Sequence, residues 1–190
     1  MIRCTALCTA GALAALLLAA PSAMRVTAAQ EFDFDFDKPA PPKLTGIELG
    51  VQVYRPELGN CQLCHGWNGN GGRQFEDLAG RTYDPGPPLT ESTMTREEMI
   101  EIIACGKLGT SIMPQYLENA WKPEHPCWGK TAAEVPDGER AGLWGAPLYL
   151  DEIEAVVLWI QTAYQGKQMS LEHCLLYFGP ESRGCDTLRK

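Results

Sequence analysis

The sequence predicts an all-α domain with long loops, and three observations lead to that prediction. Apolar residues recur at helical spacing in three segments, which are Gly46–Tyr54, a stretch that starts at Thr95, and about Leu150–Gln165. No segment shows convincing strand alternation, and residues 60–88 are rich in glycine and proline. The 190 residues give the chain the length of one domain with appendages.

Residues 1–28 have the pattern of a secretory signal peptide. Arg3 supplies the positive start, and residues 10–20 form a short apolar core that small residues follow. An uncleaved membrane anchor is the alternative, although the apolar core is short for a membrane span. Cleavage after Ala28 would change the net charge from −8 to −10, because Arg3 and Arg25 leave with the signal. We therefore expect an exported, periplasmic protein with no membrane span after cleavage.

Residues 29–45 form a leader that is rich in phenylalanine, aspartate and proline. Its proline-rich end cannot join a sheet ladder, so we expect an extended, mobile leader. The alternative is an arm whose phenylalanines dock on a partner or on the domain. These phenylalanines are Phe32, Phe34 and Phe36.

The three predicted helices have local signals at their ends or along one face. The first ends at Pro56, since proline has no backbone N–H with which to continue a helix. The second begins with a capping box formed by Thr95 and Glu98 and stops at Gly106. The third has an apolar stripe that consists of Ile153, Val156, Val157 and Ile160.

The charge balance excludes one large class of partner. The chain has 24 Asp and Glu residues against 16 Lys and Arg residues. Nucleic-acid-binding proteins present basic faces that displace counterions from phosphates, so we expect no nucleic-acid partner.

Cys61, Cys64 and His65 form the pattern C-x-x-C-H, which is the attachment signature of c-type haem. Two thiols three positions apart can form thioethers with the two vinyl groups of haem, and the adjacent histidine can then bind the iron. A zinc site would need a second Cys or His pair, and the other histidines are His125 and His173. A thioredoxin-like pair would need a strand–helix–strand pattern, which is missing. The motif therefore predicts one haem c, attached covalently through two thioethers.

Met113 is the best candidate for the second axial ligand of the haem iron. It stands in a non-helical stretch whose glycines let the backbone pass close to a flat ligand, and Pro114 follows it. The alternative is that Met113 only packs against other residues. The other candidate ligands are Met94, Met99, Met169, His125 and His173.

The segment from Gly50 to Gly166 resembles the class I c-type cytochromes, with several family elements in the family's order. These elements are the pair Gly50 and Tyr54, the motif Cys61-x-x-Cys64-His65, the loop Gly86-Pro87-Pro88-Leu89, Met113, and the last helix with Glu152, Ile153, Val156, Val157, Trp159 and Ile160. The resemblance implies a class I cytochrome c fold, with three or more helices around one covalently attached haem. It also implies that Met113 is the distal ligand and that the carbonyl of Pro87 or Pro88 accepts the proximal imidazole proton.

The chain departs from the minimal pattern of this family in three places. Extra residues precede Cys61, the expected domain at residues 46–168 contains an insertion at 115–148, and a tail follows at 169–190. An insertion with a cysteine and a tail with paired cysteines are similar to periplasmic cytochromes that serve quinoprotein (PQQ) alcohol dehydrogenases. The insertion contains Trp121, Cys127, Trp128 and Trp144.

Four further cysteines predict two disulfides, because their number is even and the protein is expected to be exported. Four cysteines allow three connectivities, and proximity in sequence favours Cys105 with Cys127 and Cys174 with Cys185. The first bridge would restrain the chain on both sides of Met113. The alternative is free or intermolecular thiols.

These residues together predict an electron-transfer protein and not an enzyme. Iron bound by both His65 and Met113 has no open position for a substrate, so one-electron change is its available chemistry. We expect electrons to come from a dehydrogenase, such as a PQQ-dependent alcohol dehydrogenase, or from a quinol-oxidising complex, and to pass to an oxidase or another cytochrome. One alternative is a haem enzyme, or the haem subunit of an enzyme, whose distal position opens for peroxide or sulfur-compound chemistry. Another is a fixed subunit of a membrane respiratory complex.

Overall fold

The computed structural model describes residues 43–76, 80, 82–109, 113–136 and 138–189, with the side chains of residues 143–146 left out. The predicted signal peptide and nearly all of the leader, including its three phenylalanines, therefore lie outside the described residues. Within the described ranges, no helix is long and apolar enough to cross a membrane.

The described chain is mainly helical and also contains two small sheets. Its α-helices are α1 (Gly46–Tyr54), α2 (Gln62–His65), α3 (Arg96–Cys105), α4 (Leu150–Ala163) and α5 (Leu171–Phe178). Its strands are β1 (Phe75–Glu76), β2 (Thr82–Tyr83), β3 (Gln115–Leu117) and β4 (Leu143–Leu148). Short 3-10 turns cover Leu89–Glu91, Ala132–Glu134 and Arg183–Leu188.

The all-α expectation is therefore right for the helices and misses the strands. β1 and β2 pair antiparallel over two residues each, which is too short for apolar alternation to be visible. β3 pairs parallel with β4, and the register shifts between Gln115 and Leu117. β4 also contains a glycine and a proline, residues that are uncommon inside strands, so its sequence did not predict a strand.

The three predicted helices are present, and their ends follow the expected signals. The hydroxyl of Thr95 accepts from Glu98 N at 3.2 Å, and the Glu98 carboxylate accepts from Thr95 N at 2.8 Å, which completes the capping box of α3. Gly106 ends α3 with φ of 71°. The third helix is slightly shorter than expected, because Tyr164 leaves helical geometry after Ala163.

α1 and α4 form the centre of the core by crossing at Gly50. A Cβ atom on Gly50 would lie 2.1 Å from the carbonyl oxygen of Ala155 and 2.9 Å from Cβ of Trp159. The crossing therefore requires a residue without a side chain. The apolar stripe of α4 is buried here, with Ile153 and Val156 fully inaccessible to solvent.

Two disulfides, Cys105–Cys127 and Cys174–Cys185, join the pairs that proximity in sequence favours. The first connects the end of α3 to the insertion at 115–148. The two ends of that insertion also meet, because β3 and β4 pair with each other. The insertion therefore closes on itself and is fastened to α3.

Substituting Gly50 by alanine tests the helix crossing. We expect Gly50→Ala to lower the free energy of unfolding by about 1–3 kcal/mol, because the added methyl group forces α1 away from α4. Urea unfolding followed by circular dichroism measures this change. Gly142→Ala is the matched control, since a Cβ atom there meets nothing within 4 Å. Equal unfolding midpoints for the two variants would show that the crossing is not tight.

Candidate functional site

A single cavity of about 670 Å³ brings the predicted site residues together. Its lining includes Cys61, Cys64, His65, Pro87, Pro88 and Met113. Two other ligand candidates, Met94 and Met99, also line it, whereas Met169, His125 and His173 are not among its described lining residues. The volume falls in the range of cofactor and small-molecule sites, which is roughly 300–1,000 Å³.

The one-turn helix α2 places the motif residues on one side of the chain. His65 N donates to Cys61 O at 3.0 Å, so residues 61–65 complete a helical turn. Side chains three and four positions apart lie on the same face of such a turn. Cys64 and His65 are therefore neighbours of Cys61 in space, and all three reach the cavity.

The imidazole of His65 is held by a proline carbonyl. Its Nδ1 lies 2.9 Å from Pro87 O, and because a carbonyl can only accept, Nδ1 carries the proton of this hydrogen bond. Burial lowers the pKa of His65, while the Pro87 carbonyl partly raises it again. The neutral ring then keeps the lone pair of Nε2 available for a metal. Of the two prolines left open by the sequence, Pro87 makes this contact.

Gly86 allows the Pro87 loop to lie directly on the imidazole. A Cβ atom at Gly86 would meet Cε1 of His65 at 2.7 Å and Nδ1 at 2.8 Å. The backbone N–H of Gly86 donates to Cys64 O at 2.7 Å, and Leu89 N donates to Gly69 O at the same distance. The loop is thus fastened on both sides of Pro87.

Cys61 and Cys64 are free thiols, outside both disulfides. Burial raises the pKa of Cys61 to about 12 and also raises the pKa of Cys64. A thiol–disulfide redox pair works through a thiolate whose pKa is lowered. The pair therefore lacks the activation that a thioredoxin-like reaction needs.

Zinc chemistry was the other alternative for the motif. Among the residues that the structure describes, no group of three or more His, Cys, Asp and Glu side chains could hold a metal ion.

Met113 lies on the part of the cavity lining contributed by the chain after α3. Its carbonyl accepts from Lys107 N at 3.0 Å, and it contacts Gly106 so closely that a Cβ atom there would lie 2.8 Å from Met113 O. The bridge Cys105–Cys127 is directly adjacent to this contact. Residues 110–112 of the predicted loop lie outside the described residues.

Tyr116 is a site residue that the sequence analysis did not identify. It is 5% exposed, lines the cavity, and donates its hydroxyl hydrogen to Gly59 O at 2.8 Å. Tyr116 is three residues after Met113, and Gly59 is two residues before Cys61. This hydrogen bond therefore joins the methionine segment to the cysteine segment. The only local sign of a role for Tyr116 is its position shortly after Met113, and that position does not indicate that Gly59 is its hydrogen-bond partner.

The donor set of the cavity fits an iron porphyrin. Two cysteines, a histidine and a methionine line a cavity whose walls are mostly apolar, and haem iron is held in proteins by histidine and methionine ligands. The apolar wall includes Leu63, Leu89, Ile102, Ile103 and Ile160.

Comparison of the chain with models of protein families, with curated proteins and with solved structures gives no match.

Replacing Tyr116 by phenylalanine tests the connection between the two segments. We expect Tyr116→Phe to lower the free energy of unfolding by about 1–3 kcal/mol, because Gly59 O stays buried without its donor. Denaturant unfolding measures this loss. Tyr149→Phe is the control, since Tyr149 is 75% exposed. If both variants unfold at the wild-type midpoint, the hydrogen bond does not hold the segments together.

Proposed function

We propose that this chain is a monohaem class I c-type cytochrome that serves as a periplasmic one-electron carrier. The observation that carries the proposal is the convergence of Cys61, Cys64, His65 and Met113 on one cavity of about 670 Å³. Three of these residues lie within one short motif, but Met113 comes 48 positions after His65. Their meeting at one cavity is what a covalently attached haem with two axial ligands requires.

Each residue has a defined role in this proposal. Cys61 and Cys64 would hold the haem through two thioethers, and His65 and Met113 would bind its iron. Pro87 fixes the orientation of the His65 ring through Nδ1. When bound, the haem supplies one-electron change between ferric and ferrous iron, and methionine ligation raises its reduction potential.

Ligation by two side chains of this chain supports a carrier and not an enzyme. With His65 and Met113 in place, no axial position is left for a substrate. The polypeptide then contributes orientation, exclusion of water and a docking surface for redox partners. The wall of isoleucines and leucines around the cavity supports the exclusion of water.

The proposed partners are redox proteins. The donor is a dehydrogenase, with PQQ-dependent alcohol dehydrogenases as the first class to test, or a quinol-oxidising complex, and the acceptor is an oxidase or another cytochrome. Removal of residues 1–28 would leave a net charge of −10, which favours association with basic surfaces at low salt. The two disulfides are compatible with an exported protein.

Optical spectra of the exported protein test the proposal directly. We expect low-spin spectra in the oxidised and reduced protein, with the ferric methionine–iron charge-transfer band and no binding of carbon monoxide. Mass spectrometry should show one haem bound covalently. High-spin iron or prompt carbon monoxide binding would instead support an enzyme with an open distal position. A chain without covalent haem would refute both readings.

Substitutions at the proposed ligands assign the two axial positions. Met113→Ala should give ferric iron that binds added cyanide or imidazole readily, and His65→Ala should reduce the yield of haem-loaded protein. Met99→Leu and Met94→Leu are matched controls, because both methionines line the same cavity and leucine keeps their bulk. An unchanged spectrum in Met113→Ala would move the distal assignment to another residue.

A further inference from the structure

The tail at 169–190 forms a stapled unit. Its helix α5 begins after Ser170, whose hydroxyl accepts from His173 N at 3.2 Å. The bridge Cys174–Cys185 then ties α5 to the 3-10 turn Arg183–Leu188, and both cysteines are fully buried. The disulfide therefore holds α5 and the 3-10 turn together, so that they pack on the domain as one unit.

Tyr177 is one of the α5 residues that contact the rest of the domain, together with His173 and Phe178. Its side chain is 3% exposed, and its ring packs edge-on against Tyr54 of α1 with a centroid distance of 6.4 Å. The guanidinium of Arg55 lies 5.9 Å from the centroid of the same ring. The hydroxyl of Tyr177 donates to Oε1 of Gln62.

Gln62 is the residue directly after Cys61, so Tyr177 contacts the interior of the C-x-x-C-H motif. At the other end of α2, the ring of Trp67 lies 5.0 Å from that of Phe178 and 6.4 Å from that of Tyr177. The tail thus contacts Gln62, the first residue of α2, and Trp67, which lies two residues after the end of α2.

α2 depends on contacts from outside, because it has four residues and buries none of them fully. An isolated single turn is not stable in water, since one or two hydrogen bonds do not offset the conformational entropy that ordering costs. Its carboxyl end is held by Tyr54, whose hydroxyl donates to Gly66 O at 2.7 Å, and by Gly72 N, which donates to Cys64 O at 2.7 Å. The Tyr177–Gln62 hydrogen bond supplies a contact at the amino end.

We propose that Tyr177 is a positioning residue, and that the disulfide-stapled tail uses it to hold α2 through Gln62. The tail thereby fixes the spacing of the two thiols and the direction of the imidazole of His65. This inference rests on the proposed function in so far as α2 is the haem-attachment segment. We call the hydrogen bond between Tyr177 and Gln62 the brace. It is a property of the folded chain and can be measured whether or not haem is bound.

Amide hydrogen exchange of the full-length chain, as purified, tests the brace. Tyr177→Phe keeps the ring and removes the hydroxyl, while Gln62→Leu removes the acceptor. We expect either variant to speed exchange of the Gly66 and Gly72 amides about fivefold, the factor expected for one lost hydrogen bond. Amides in the middle of α4 should exchange at the wild-type rate.

Two further variants separate a specific contact from general loosening. Gln62→Glu keeps an oxygen acceptor for the Tyr177 hydroxyl, so the Gly66 and Gly72 amides should exchange as slowly as in the wild type. The double variant Tyr177→Phe with Gln62→Leu should exchange no faster than either single variant, because both remove the same bond. Equal acceleration throughout the chain, or additive effects in the double variant, would overturn the proposal.

A second readout links the brace to the cofactor. In haem-loaded protein, Tyr177→Phe should shift the reduction potential, whereas Tyr149→Phe should leave it unchanged, since Tyr149 is exposed and far from α2 in sequence. An unchanged potential in Tyr177→Phe would refute the effect on the ligands of the iron. Absence of covalent haem in the wild-type mass spectrum would refute the proposed function instead, and hydrogen exchange would still report on the brace.

Discussion

The close crossing of α1 and α4 at Gly50 is the constraint on which the site depends. It places Tyr54 and Tyr164, one at the end of each helix, with ring centroids 5.1 Å apart. Both hydroxyls then donate to the segment that follows α2, from Tyr54 to Gly66 O at 2.7 Å and from Tyr164 to Trp67 O at 2.8 Å. The helix crossing thus positions two tyrosine hydroxyls that hold the backbone immediately after His65. Buried tyrosine hydroxyls need hydrogen-bond partners, and these two bonds supply them while they also orient the C-x-x-C-H motif.

The methionine side of the cavity is stabilised by a separate set of contacts that the insertion provides. Trp128 donates its indole N–H to Gly106 O at 3.2 Å, and its backbone N–H donates to the carboxylate of Glu101. The bridge Cys105–Cys127 lies beside these bonds, and closing a loop of this length contributes about 3 kcal/mol in the chain-entropy account. The insertion therefore fastens the end of α3 immediately before the segment that leads to Met113.

The parts of this structure that the sequence predicts are those with local signals. The capping box at Thr95 and the apolar stripe of α4 are visible within a few residues, and both disulfides follow from short separations. The contact of the proline loop with His65 was expected only from the family resemblance, which left Pro87 and Pro88 open. β1, β2 and β3 have no such signal, since two or three residues cannot show alternation, and the six residues of β4 include a glycine and a proline. α5 was not predicted either. Tyr116 and Tyr177 were missed for a different reason, because their partners lie 57 and 115 positions away. Contacts of that range depend on the tertiary fold.

The half-buried position of Cys61 and Cys64 beside the cavity has a consequence for thiol–disulfide exchange in the folded chain. Six cysteines remain beyond residue 28, and six allow 15 sets of three pairings. Thiol–disulfide exchange proceeds through thiolates, and a thiol with a pKa of about 12 supplies almost none at neutral pH. The two bridges join cysteines that the fold places close together, with Cα–Cα distances of 5.6 Å for Cys105–Cys127 and 5.9 Å for Cys174–Cys185. In the folded chain, four of these six cysteines are therefore paired in two disulfides, and the other two are thiols of raised pKa that exchange poorly with those bridges.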